Sequence, residues 1–244
     1  MSRTHATTYS FYRHRLPVRI THWVNALCLL ILLMSGMQIF NAHPALYWGS
    51  ASDFDSPWLA LGRFPGWLTI PSWQSLATGR QWHFFFAWAL VFNAALYLIW
   101  SACTGHLRDL TPTRADWRGF GRSVIDHIKL RHPKGEAAKR YNILQKLAYL
   151  IVIFGLGGLM VVTGLCMSPR MNTVMHGVLE LLGGRQSARS LHFLAAGGLV
   201  LFVVVHLFEV AITGLWNNLR SMITGRYRYH ANGTEQTKPE ARHE

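Results

Sequence analysis

Residues 189–209 read RSLHFLAAGGLVLFVVVHLFE. Between Arg189 and Glu209 there is no residue of fixed charge, and the run is long enough to cross a hydrocarbon core of about 30 Å as a helix. Two histidines interrupt it, His192 and His206. Fourteen residues is nearly four helical turns, so both rings leave the same face, and the rise between them is about 21 Å. Ionisable side chains at such depth are costly and usually mark function. One helix therefore carries two polar groups on a single stripe, one toward each side of a membrane.

Three earlier stretches have the same apolar character. Hydropathy places spans near residues 20–40, 82–103, 145–167 and 191–216, which predicts an all-α integral membrane four-helix bundle over 1–226 and a disordered tail over 227–244. Half of the chain is hydrophobic and only 14% is charged, against about 25% in soluble domains. The net charge of +13 sits beside the spans, where it meets anionic lipid, and no nucleic-acid recognition module accompanies it. The basic residues before the first span resemble the start of a signal peptide, but the apolar run to Phe40 is too long for one and reads as a retained helix. Cys28, Cys103 and Cys166 lie in or at the ends of spans, and no C-x-x-C-H occurs, which excludes covalent c-type haem attachment.

Orientation follows from Lys and Arg in the connections. The loop between the second and third spans holds nine, from Arg108 to Arg140, and both tails are rich in them. The other connections hold only Arg63 and Arg80, then Arg170, Arg185 and Arg189. Both termini are therefore expected in the cytoplasm of a bacterium, with the chain in its inner membrane.

Two more histidines lie within the spans, His22 at the start of the first and His83 at the start of the second. With the chain crossing four times, depth permits one pairing: His83 with His192 on the outer side, His22 with His206 on the inner side. Two imidazoles facing across a bundle core suit the axial positions of a six-coordinate haem iron, and two such pairs predict two b-type haems. The spacing suits zinc poorly, since no Cys or carboxylate completes a tetrahedral set. Gly36 stands 14 residues after His22, level with the outer pair, where a small residue lets a flat macrocycle approach. Arg19, Arg80 and Arg189 each precede a histidine by three residues, on the same face, at the membrane edge. They suit haem propionates through bidentate pairing, or else they are snorkelling flanks. The tryptophans of the 41–81 connection are read either as interfacial anchors or as a docking surface.

The stretch Leu16-Pro17-Val18-Arg19-Ile20-Thr21-His22-Trp23 resembles the opening of the b-type cytochrome subunits of Ni/Fe hydrogenases, and Arg80-Gln81-Trp82-His83-Phe84 resembles their second-helix motif. The His192/His206 pair resembles the gamma subunit of formate dehydrogenase and bacterial b-561-type cytochromes. The resemblance covers about residues 11–226. It implies a di-haem cytochrome that exchanges electrons between quinone and a periplasmic oxidoreductase, with His22, His83, His192 and His206 as axial ligands. One departure stands out: Leu191 precedes His192 where hydrogenase cytochromes often carry a second histidine. Residues 183–189 instead resemble variants that accompany molybdopterin enzymes of thiosulfate or sulfite type.

Quinone chemistry moves protons as well as electrons, and Glu209 is the only acid in the fourth span, three residues beyond His206. It is the candidate proton relay, against a plain hydrogen bond to a neighbouring helix. Two other functions remain open at this stage. One is a stand-alone quinone-linked oxidoreductase, such as one oxidising superoxide. The other is a haem-free transporter or anchor.

Overall fold

The computed structural model describes residues 7–129, 143–171 and 173–231. Four helices are long and apolar enough to span a membrane: Leu16–Phe40, Leu76–Cys103, Ile143–Met167 and Arg185–Ile212. They are called the first to fourth helix below, and they form an all-α membrane bundle. The basic residues from Arg131 to Arg140 lie outside the described residues.

Local chemistry sets the ends of these helices. Pro17 sits in the first turn of the first helix, where its missing N–H costs nothing and its fixed φ is helical. The helix therefore begins at Leu16, earlier than hydropathy suggests. Ser75 caps the second helix, its Oγ accepting from the Thr78 N–H at 3.3 Å. The fourth helix starts after Gly183 and Gly184, both at positive φ, a backbone state that favours glycine. It ends at Ile212, not near 216. The Thr213 hydroxyl donates back to the Glu209 carbonyl at 2.6 Å, and Gly214 at φ 111° breaks the helix before a separate amphipathic helix, Leu215–Thr224.

The third helix contains a π-helical turn over Ile151–Leu156, a feature that widens the helix locally. Leu156 packs on Gly198 of the fourth helix, where an added Cβ would meet Leu156 Cδ2 at 3.2 Å. That glycine serves helix packing, as small residues do in membranes. The first and second helices pack closely in the same manner, with Gly79 against Gln38. Deeper in that pair, the Asn93 amide donates to the Thr21 carbonyl at 2.9 Å and to Asn25 Oδ1 at 2.7 Å. The bundle is thus two close hairpins, first with second and third with fourth, with sparser backbone approaches between them.

An even number of crossings puts both termini at one end of the bundle, and a small sheet joins them. β1 (Thr7–Tyr12) pairs antiparallel with β2 (Arg226–Ala231), from Thr7 opposite Ala231 to Tyr12 opposite Arg226. The disordered tail expected from residue 227 therefore begins too early: residues 227–231 belong to strand β2. The stretch Arg226-Tyr227-Arg228-Tyr229-His230-Ala231 alternates with the period of a strand, and its partner is supplied by the other terminus. Residues 232–244 lie outside the described residues. At this termini end, Thr113 and Asp116 form a capping box, and Lys146 at the start of the third helix pairs with Asp116 at 2.9 Å.

At the opposite, loop end, the long connection after Phe40 folds down onto the fourth helix. Trp58 Nε1 donates to Ser190 Oγ at 3.0 Å, and Ser190 Oγ donates to the Tyr47 carbonyl at 2.6 Å. The Gly49 N–H donates to Ser187 Oγ at 2.8 Å. Trp48 and Trp58 stack at 5.4 Å, while Trp67 and Trp73 face outward.

Candidate metal centres: two facing histidine pairs

The four intramembrane histidines meet in the two expected pairs, each bridging the hairpins. His83 of the second helix faces His192 of the fourth, with ring centroids 6.3 Å apart. His22 of the first helix faces His206 of the fourth, also at 6.3 Å. Metal–imidazole bonds run about 2 Å. Two rings on opposite sides of one ion therefore have centroids about 6 Å apart once the centroid-to-nitrogen distances are added.

The depths agree as well as the distances. His83 and His192 each lie seven residues inside the start of their helices, and both starts are at the loop end. His22 lies six residues after the start of the first helix, and His206 lies six before the end of the fourth. A fourth helix drawn to residue 216 makes the second match look loose. The earlier stop at Ile212 removes the discrepancy.

The surroundings differ between the pairs. His83 Nδ1 is 3.1 Å from Ser35 Oγ, and His192 Nδ1 is 2.9 Å from Thr163 Oγ1. A Cβ added to Gly36 would lie 3.5 Å from His83 Cε1, and one added to Gly164 would lie 3.5 Å from His192 Cε1. Gly36 is thus level with the loop-end pair, as expected, but its immediate neighbour is the edge of the His83 ring. At the termini end, His22 Nδ1 is buried without a hydrogen-bond partner among the described residues. His206 stacks on Phe202 at 5.8 Å.

The arginines diverge. Arg189 donates from Nη1 to the Ala45 carbonyl at 2.9 Å and from Nη2 to the His43 carbonyl at 2.5 Å, so much of its fork is spent on holding the loop. Arg19 donates from Nη2 to the Ile223 carbonyl, while its Nε is buried and has no partner among the described residues. Arg80 lies over the Phe84 ring at 5.4 Å. Glu209 is half-buried one turn beyond His206. His106 packs near Trp100, and His176 pairs with Glu180.

The donor chemistry fits a haem. Among the described residues, no group of three or more His, Cys, Asp or Glu side chains could hold a metal ion. A site offering two opposed imidazoles suits an ion that brings its own equatorial nitrogens, as iron in a porphyrin does. The unpartnered His22 Nδ1 and the glycine beneath each loop-end ring are consistent with rings placed for a ligand rather than for each other. The family described as prokaryotic cytochrome b561 matches residues 13–225.

The chain belongs to that family.

It is accordingly a multi-pass membrane cytochrome, and the b-type character of the family implies haem b. It is 32% identical over 215 residues, 85% of its own length and 93% of the relative's, to a protein of Azospira oryzae named as putative protein-methionine-sulfoxide reductase subunit YedZ1. It is 25% identical over 228 residues to a probable Ni/Fe-hydrogenase B-type cytochrome subunit of Cupriavidus necator, covering 88% of this chain and 85% of that one. A protein of the same description from Rhodobacter capsulatus is 23% identical, covering 82% and 73%. What reading the cytochrome from sequence missed is the polar support of its rings, Ser35 and Thr163, and two buried polar ties, Asn93 between the first two helices and Ser190 between the loop and the fourth helix. Each looks like an incidental small or polar residue in an apolar span. The one signal was that Ser35-Gly36 and Thr163-Gly164 repeat a hydroxyl-glycine pair.

Proposed function

We propose that this cytochrome holds two b-type haems and carries electrons across the bacterial inner membrane between the quinone pool and an oxidoreductase subunit on the periplasmic side. His83 and His192 would hold one haem, and His22 and His206 the other. The observation that carries this reading is the equal 6.3 Å separation of the two ring pairs at matched depths on opposite sides of the bundle. A bound haem supplies a one-electron centre at each depth. The protein's own part is to hold the imidazoles opposed, to exclude water with apolar helices, and to offer cations at the edges. The unpartnered Arg19 Nε and the outward Arg80 suit propionate carboxylates. Arg189 contributes by fixing the loop over the loop-end site.

The charge asymmetry of the connections supports termini in the cytoplasm. The relatives' names, which describe subunits of a hydrogenase or a sulfoxide reductase, support an oxidoreductase partner. The 183–189 stretch favours a partner of the molybdopterin kind. Glu209 is the proton relay beside His206. Anaerobic addition of a short-chain quinol to the purified cytochrome tests the quinone assignment: it reduces the b-type absorption bands, and Glu209→Gln slows that reduction with the spectra unchanged. Absence of reduction contradicts the quinone assignment, and an unchanged rate in the variant removes the role of Glu209.

A further inference from the structure

The loop-end rings rest on two copies of one cradle. Ser35-Gly36 on the first helix supports His83 of the second, and Thr163-Gly164 on the third helix supports His192 of the fourth. Each hairpin thus builds the same device with a different hydroxyl. In both, the hydroxyl also reaches the carbonyl four residues back: Ser35 Oγ to Ile31 at 2.7 Å, and Thr163 Oγ1 to Leu159 at 2.6 Å. A hydroxyl has a single proton to donate. With that proton on the helix carbonyl, its oxygen can only accept from the imidazole. Nδ1 is therefore the protonated nitrogen in both rings, and Nε2 turns its lone pair toward the facing ring. The glycine beside each hydroxyl lies against the ring edge, where an added methyl would sit in ordinary contact with Cε1 at 3.5 Å.

The termini-end pair lacks this arrangement on at least one side, because His22 Nδ1 has no partner among the described residues. A hydrogen bond from Nδ1–H orients a metal-bound imidazole and raises its basicity. A more basic ligand favours the more highly charged ferric ion over the ferrous one. We infer that Ser35 and Thr163 are positioning residues that fix the tautomer of both loop-end ligands and hold down the midpoint potential of that site alone. The inference rests on the two-haem reading proposed above.

The test is a redox titration of the purified holoprotein and of Ser35→Ala, Thr163→Val and the double variant, with haem per chain measured on each. His83→Ala identifies which titration component belongs to the loop end. The expected result is an upward shift of that component in each single variant. In the double variant the ferric preference falls about tenfold, which is about 59 mV for one electron, and the other component stays in place. Ser35→Thr and Thr163→Ser retain a hydroxyl and keep the original potential. Loss of the loop-end haem in the Ala and Val variants, with retention in the Thr and Ser swaps, supports the same role. Two haems with an unmoved loop-end component, or equal shifts in both components, overturn the inference and leave the two-haem reading intact. Fewer than two haems in the unaltered protein overturns that reading itself.

Discussion

His83 and His192 come from different hairpins, yet each lies seven residues inside its helix and their rings stand 6.3 Å apart. The second pair repeats that separation. Ligands shared across one centre behave as a unit. His83→Ala and His192→Ala should therefore abolish the same redox component, and His22→Ala and His206→Ala should abolish the other. Haem content and a titration of each variant check this. If His83→Ala and His22→Ala remove one common component, the pairing is wrong.

Arg189 is a structural tie as well as a charge. Its guanidinium holds two loop carbonyls, at Ala45 and His43, and hydrogen bonds from a charged donor are worth about 1.5–3 kcal/mol each. Arg189→Ala should loosen residues 43–58 from the fourth helix and lower the thermal midpoint of the detergent-solubilised protein. Limited proteolysis of the loop is the sharper measurement, with cleavage in the variant appearing well before cleavage in the parent. Equal cleavage rates would show that the loop is held by other contacts.

The first hairpin carries a polar clasp. Asn93 is buried and donates to the Thr21 carbonyl and to Asn25, one turn beyond Thr21 and just past His22. Interhelical hydrogen bonds in membranes are worth about 0.6–2 kcal/mol. Asn93→Ala should cost about that much by unfolding in mixed micelles, and it should weaken haem retention at the termini end more than at the loop end. Equal loss at both sites would mean a general destabilisation.

The four spans and the histidine pairing were legible because both follow from periodicities. A run of about twenty apolar residues has one meaning in a chain this poor in charge, and a 14-residue histidine spacing projects both rings from one face. The helix stop at Ile212 was not legible, because Leu215 and Trp216 continue the apolar run and the break is made by backbone geometry at Gly214. β1 and β2 could not be paired in advance, since each is a short strand whose partner lies more than 200 residues away. Arg189 misled for a related reason. Its spacing from His192 is that of Arg19 and Arg80 from their own histidines, but the carbonyls it holds belong to a distant loop.

Asp116 gives a pH dependence. The Thr113 N–H, the Lys146 ammonium and the Thr113 hydroxyl all stabilise its charged form and hold its carboxyl down at about 2. A depressed carboxylate contributes its full stability above the unfolded value of about 3.9, and that contribution fades as pH falls toward the folded value. Loss of a carboxylate in the first turn of a helix costs about 0.3–1 kcal/mol. The melting difference between the parent and Asp116→Asn should therefore be constant from neutral pH down to about 4 and shrink below that. A difference that grows on acidification would contradict the assignment.

Two bis-histidine haem sites at opposite depths are tested most directly by a pyridine haemochrome assay on the purified, unaltered protein, normalised to chain concentration by amino-acid analysis. The predicted result is two b-type haems per chain; one haem, or none, contradicts it.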